Sequence, residues 1–152
     1  MSATTQQAAD LTIQEMARRS GFAESTLRYY EKIGLLGPVA RDESSGHRRY
    51  GPATADRVEA LSCLRSAGMT VSGMRRYLDL LAQGDSAAAE QRELFAGQAE
   101  VLAADIEQLQ LRLTYLRRKA DLWDARVRGN AAAEKQAADE VLDVMNQFRF
   151  RL

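Results

Sequence analysis

Apolar residues fall in short clusters at helical spacing through the first half of the chain and in one long unbroken stripe through the second. Ile13, Met16 and Ala17 share one side of a segment introduced by Thr12-Ile13-Gln14-Glu15. A threonine followed three places on by glutamate predicts a capping box, and Gly21 predicts the stop. A second helix begins between Ala23 and Ser25, runs through Tyr30 to Ile33 and ends at Gly34. Two short helices across a glycine-containing turn make a helix-turn-helix, or simply a helical pair within a small α-helical core. The period then breaks. "GPVARDESSGHRRYGP", residues 37–52, carries two prolines and three glycines, which exclude a long helix. Ala40-Arg41 and His47-Arg48-Arg49-Tyr50 read as two short strands around Glu43-Ser44-Ser45-Gly46, a hairpin wing with cations on both arms. Pro52 opens a third helix, with Val58, Leu61, Cys63, Leu64 and Ala67 on its apolar side and Gly68 at its end. Thr70 caps a fourth, using Val71, Met74, Tyr77, Leu78 and Leu81 and stopping near Gly84.

No glycine or proline falls between Gln98 and Arg128. Leu102, Ile106, Leu109, Leu113, Leu116, Ala120, Trp123 and Val127 follow steps of four and three without a slip, a heptad seam. A helix of roughly 40 residues is about 60 Å long, and a small head cannot cover such a stripe. The seam therefore expects a partner helix from a second copy of the chain, with packing against the chain's own tail as the alternative. Gly129-Asn130 ends the rod. Residues 131–145 suggest a last helix with Val141, Leu142 and Met145 inward, and "NQFRFRL" follows. The expected fold is therefore all-α dominated. A winged helix-turn-helix head (11–84) follows a flexible start (1–10), then come a long dimerisation helix (85–128) and a short C-terminal helix or tail (129–152).

Charge sharpens this picture. The chain of 152 residues is formally neutral, with 21 basic and 21 acidic side chains. Residues 18–50 nevertheless hold seven basic against four acidic residues, whereas 81–152 hold ten against twelve. A basic front end on a neutral chain suits a nucleic-acid face. No apolar run approaches the roughly 18 residues of a membrane span, and the N-terminus lacks a signal-peptide plan, so a cytoplasmic protein is the simplest expectation. Cys63 is the sole cysteine, which rules out an intrachain disulfide and a cysteine metal cluster. Neither a cofactor nor a metal is expected. With no glycine-rich phosphate loop, no ligand cluster and the only histidine in the wing, an enzyme has no visible machinery. A coiled-coil adaptor explains the rod but leaves the basic, aromatic helix without a task.

On that second helix Ser25, Arg28, Tyr29 and Lys32 share one face, with Thr26 beside them, while Leu27, Tyr30 and Ile33 point the other way. Arginine can read guanine bidentately and tyrosine hydroxyls bind phosphates. Arg41, His47, Arg48, Arg49 and Tyr50 of the wing, Thr12 and the pair Arg18 and Arg19 would flank the groove and grip the backbone. For Arg18 and Arg19 the alternative is interaction with the helix C-terminus, and for His47 it is a lone surface histidine without a role.

"LTIQEMARRSGFAESTLRYYEKIGLL", "RDESSGHRRY" and "LRSAGMTVSGMRRYLDLL" together resemble the MerR family of bacterial transcription regulators, over about residues 11 to 84. The resemblance implies a homodimer, joined by an antiparallel dimerisation helix, on double-stranded promoter DNA. The DNA is a pseudo-palindrome within an overlong spacer, which an effector lets the dimer bend and untwist for RNA polymerase. It also implies a bacterial, nucleoid-associated protein. Three positions depart from the family pattern: Ala23 and Gly51 replace usual serine caps, and Gly73 replaces a usual glutamate.

The region from Cys63 to Asp85 is similar to the AdhR/NmlR-like branch, which implies an aldehyde or electrophile as effector. Cys63 is then the sensing residue, with Arg65 as a cation able to lower its thiol pKa; a small apolar role on the helix is the alternative. The competing effector is a small organic ligand in a pocket lined by Tyr77, Tyr115, Trp123, Phe148 and Phe150.

Overall fold

A computed structural model describes residues 9–149. Six α-helices, a two-stranded hairpin and one short 3-10 turn make up these residues, arranged in two compact units that meet in sequence between Phe95 and Ala96. The architecture is the expected one: mostly helical, a small antiparallel hairpin, one long helix and a C-terminal helix.

In the first unit, α1 (Ile13–Ser20) opens with the capping box that its sequence predicts. The Glu15 amide donates to Thr12 Oγ1 at 3.2 Å, and the Thr12 amide donates to the Glu15 carboxylate at 2.8 Å. That hydrogen bond from the Thr12 backbone holds the Glu15 carboxyl below the usual carboxylate range. Gly21, at φ 78°, closes the helix in the left-handed conformation that glycine adopts without strain. Helix α2 (Glu24–Lys32) follows from an Ala23 cap that offers no side-chain acceptor. The strands β1 (Ala40–Arg41) and β2 (Arg48–Arg49) pair antiparallel, with Arg41 opposite Arg48. Asp42 Oδ1 shapes the turn by accepting from the amides and hydroxyls of Ser44 and Ser45, which lowers its pKa strongly. An isolated bridge between Leu11 and Tyr50 ties the hairpin's exit to the start of α1.

Helices α3 (Pro52–Ser66) and α4 (Val71–Ala82) complete the head. Its core joins Met16, Phe22, Leu27, Tyr30, Leu35, Tyr50, Val58, Leu61 and Met74, most of them fully buried. Each fully buried aliphatic side chain stabilises by about 1.5–3 kcal/mol before conformational entropy is set against it. Sequence periodicity misplaces the margins of these helices. Cys63 and Ala67 are exposed, and α4 buries Leu80 while Leu81 faces out. Gly73 lies under Met69, where an added Cβ would meet the Met69 Cγ at 2.7 Å.

The head also extends further than residue 84. Helix α5 (Ala88–Val127) begins after the 3-10 turn Gly84–Ala87, and its first two turns belong to the first unit. Leu94 packs on the head core, Phe95 meets Tyr77 edge-on with ring centroids 5.8 Å apart, and Arg76 pairs with Glu90.

In the second unit, α5 turns at Gly129 into α6 (Ala131–Arg149), whose first turn is capped by Asn130. Helix α6 runs back along α5. Phe148 meets Tyr115 edge-on at 5.7 Å, and Arg118–Glu140 and Arg126–Glu134 ion pairs span the hairpin. Leu111 and Ala125 are buried on α5, with Ala137, Val141 and Val144 on α6. Two tail residues expected inside differ: Leu142 is exposed and Met145 is only half-buried. Phe150 lies outside the described residues.

The expected seam is a separate stripe of α5. At 100° per residue, Leu102, Ile106, Leu109, Leu113 and Leu116 lie on the side of the helix opposite Leu111 and Ala125. Helix α6 therefore leaves them bare: Leu109 is 58% exposed, Leu116 64% and Trp123 54%. Among the described residues, the tail does not cover the heptad seam.

Candidate nucleic-acid interface

The candidate nucleic-acid face is built on α2. Leu27 and Tyr30 are driven into the core, and Tyr30 packs edge-on against Phe22 at 5.2 Å. A helix with those two side chains fixed inward must turn Ser25, Arg28, Tyr29 and Lys32 outward, and all four are exposed; Thr26 is half-buried. Arg28 reaches Glu24 one turn back at 3.2 Å.

Beside α2 lies a cleft of about 370 Å³ lined by Thr12, Ile13, Gln14, Arg28, Arg41 and the wing segment from Ser45 to Arg49. It collects Thr12, Arg28, Arg41, His47, Arg48 and Arg49 of the residues expected to bind DNA. Arg41 donates to the Gly46 carbonyl at 3.1 Å, and the His47 amide donates to Ser45 Oγ at 3.3 Å. Thr12 already uses its hydroxyl as the α1 cap, so its part in the cleft is divided.

Three expectations change. Tyr50 is not an interface residue: it is fully buried, and burial pushes its phenol pKa up. The bridge to Leu11 turns its ring inward, and a side chain without exposed surface cannot reach a duplex. Arg19 is held by Glu59 of α3, a pairing that raises its pKa, while Arg18 is exposed at the same helix end. Arg65, the cation expected beside Cys63, places its guanidinium 5.6 Å from the centre of the Phe22 ring.

Glu31 is the site residue that spacing along the chain does not single out. Its carboxylate, on the inner flank of α2, takes the Arg48 guanidinium on one oxygen and stands 4.0 Å from Arg41 on the other. Its only sequence signal was an acid within a basic segment.

The aromatic residues proposed for an effector pocket form separate pairs. Tyr77 meets Phe95 in the first unit, and Tyr115 meets Phe148 in the second. Trp123 stays exposed under the Arg126 guanidinium, 4.7 Å from its ring centre. Cys63 is exposed on α3, which removes the buried apolar role.

Taken together, an outward basic face on the second of two tightly joined helices, with a cationic hairpin at its side, defines a winged helix-turn-helix protein. The family description "MerR HTH family regulatory protein" matches residues 11–81. The chain is 32% identical over 92 residues to the HTH-type transcriptional regulator AdhR of Bacillus subtilis, covering 60% of this chain and 65% of that protein. Among solved structures it is similar to a putative MerR family transcriptional regulator from Listeria monocytogenes, with 31% identity and a TM-score of 0.66, covering 91% of this chain and 98% of that one. It is also similar to HiNmlR, a MerR family regulator lacking the sensor domain and solved bound to promoter DNA. That match has 29% identity and a TM-score of 0.66, covering 82% and 95% of the two chains. The chain belongs to the MerR family of helix-turn-helix transcriptional regulators, which are not enzymes. No helix among the described residues is long and apolar enough to cross a membrane.

Proposed function

We propose that two copies of this chain pair through the bare stripe of α5 and bind one pseudo-palindromic promoter, each placing α2 in a major groove. The observation that carries this reading is the cleft that gathers Arg28 with Arg41, His47, Arg48 and Arg49 beside an exposed recognition helix. Arg28 and Tyr29 meet base edges, Ser25 and Lys32 lie along the same groove, and the wing cations with Arg18 hold phosphates. Bending and untwisting an overlong spacer costs the dimer a few kcal/mol of DNA deformation, which the added backbone contacts offset. RNA polymerase is the partner that uses the reshaped promoter.

Competition on gels tests this. The duplex upstream of the chain's own gene should bind about a thousandfold or more tighter than random duplex at physiological salt. Equal affinity for both would reject sequence-specific regulation.

For the effector, the accessible Cys63 thiol favours an aldehyde or electrophile over an organic ligand held by the dispersed aromatic pairs. Cys63→Ser should abolish aldehyde-dependent promoter activation with promoter affinity unchanged. Undiminished induction would return the effector to a non-covalent ligand.

A further inference from the structure

We propose that Glu31 is the positioning residue that sets the wing against the recognition helix, and so sets the sequence selectivity of the interface. The inference rests on reading that interface as a duplex-binding one.

The wing is tied to the head at its exit by the Leu11–Tyr50 bridge, but the pairing of its own strands is slight. It has two paired residues on each strand, and an isolated two-stranded hairpin is marginal in water. Its register puts Arg41 directly opposite Arg48, and like charges facing each other across a strand pair repel. Glu31 resolves both problems. One carboxylate oxygen receives the Nε–H of Arg48 from β2, and the other faces Arg41 of β1. The bridge runs from one helix to both arms of the hairpin. It is among the less exposed ion pairs of the head, with 19% of the Glu31 side chain and 22% of the Arg48 side chain accessible, so water screens it less than the open pairs around it.

Geometry turns this into selectivity. Arg28 lies one turn before Glu31 position on α2, and both Arg28 and the wing cations line the same cleft. A duplex that places one phosphate track on the wing and one groove edge on Arg28 is accepted only when the two are held at a set spacing. Loosening the wing lets the cations follow any backbone, and discrimination falls although the number of positive charges is unchanged.

The sign of the effect separates positioning from simple electrostatics. Removing a negative charge from a phosphate-facing cleft should strengthen binding to every duplex alike if Glu31 is only a charge. If it positions the wing, Glu31→Gln weakens binding to the preferred sequence and leaves random-duplex binding equal or tighter. The test takes the full chain, selects a preferred duplex from a randomised pool with the wild-type protein, and measures both affinities for wild type, E31Q and E31D at one salt concentration. The expected result is a fall in the preferred-to-random ratio of about tenfold or more for E31Q, with a substantial part of it recovered in E31D, which restores the charge between the arginines. Amide relaxation of the free protein should show residues 42–47 becoming more mobile in E31Q while the core amides of α1 and α3 do not change. A ratio kept within about twofold in E31Q, wing amides as rigid as in wild type, or an E31D ratio no better than that of E31Q would each overturn the assignment. A wild-type protein that selects no preferred duplex would instead remove the DNA reading itself, which distinguishes the two failures.

Discussion

The two units solve the burial problem in opposite ways. In the head, α1 to α4 converge on one cluster that takes in Met16, Leu27, Tyr30, Tyr50, Val58, Leu61 and Met74, and what stays outside on α2 is polar or amphipathic. In the second unit, α5 has two apolar sides and, among the described residues, one partner helix. Helix α6 takes the side with Leu111 and Ala125, while Leu102, Ile106, Leu109, Leu113 and Leu116 remain open. A monomer rarely leaves so long an aligned apolar row in water. The contrast teaches that the head covers its apolar residues with its own elements, whereas the long helix leaves an apolar row open, the row on which the proposed pairing of two copies rests.

The largest expected effect breaks this contrast at the seam. Leu113→Glu combined with Leu116→Glu buries charges against an apolar partner and should convert a dimer into monomers in sedimentation velocity. Promoter affinity should fall by orders of magnitude, since each half-site then binds alone, while the head keeps its near-ultraviolet signature. A double variant that still sediments as a dimer would show that another surface joins the copies. The matching change in the head is Leu27→Ala, which opens a cavity under the recognition helix. It should cost about 2–5 kcal/mol in denaturant unfolding, and its penalty, unlike that of the seam variant, should not depend on protein concentration. A loss below about 1 kcal/mol would mean that α2 is not anchored through this side chain.

A smaller effect sharpens the comparison inside α2, where Tyr30 and Arg28 sit two residues apart with opposite fates. Arg28→Ala should leave unfolding nearly unchanged, because Arg28 is exposed and its pair with Glu24 is a surface one. It should weaken promoter binding by about 1–3 kcal/mol and relax the choice at one base pair. Loss of stability without loss of discrimination would move Arg28 from the interface to the scaffold.

Much of this was legible because it is local. The capping box at Thr12 and Glu15, the stops at Gly21, Gly34 and Gly129, the division of α2 into Tyr30 inside and Tyr29 outside, and the α5 seam all follow from spacing along one helix. What was not legible depends on which element arrives from elsewhere. Leu80 and Leu81 point about 100° apart on α4; the spacing from Met74 and Leu78 selects Leu81, whereas the folded head buries Leu80 and leaves Leu81 exposed. Likewise α6 docks on α5 through Val141 and Val144, leaving Leu142 out. Tyr50 sits beside a basic pair and reads as part of it, but its strand end bridges Leu11 and its ring is buried in the head core. The acids that manage the cationic face were invisible for the same reason. Glu31 acts across 17 residues and Glu59 across 40, and no helical or strand period spans such separations.

The smallest expected effect concerns the start of α2. Ala23 has the extended backbone of a cap, at φ −66° and ψ 151°, and its side chain has no oxygen to offer the free amides of the first turn. Serine fits that backbone without strain, and nothing crowds it, since Ala23 is exposed. Ala23→Ser should therefore stabilise the head by about 1 kcal/mol, seen as a rise of several degrees in its thermal midpoint. The same change tests how far the interface is independent of the scaffold. The cap tightens the first turn of the helix and leaves untouched the residues that hold the wing, so promoter selectivity should stay constant while stability rises. A gain in stability accompanied by altered selectivity would mean that the first turn of α2 is itself adjusted against DNA, and that the missing serine belongs to recognition rather than to folding.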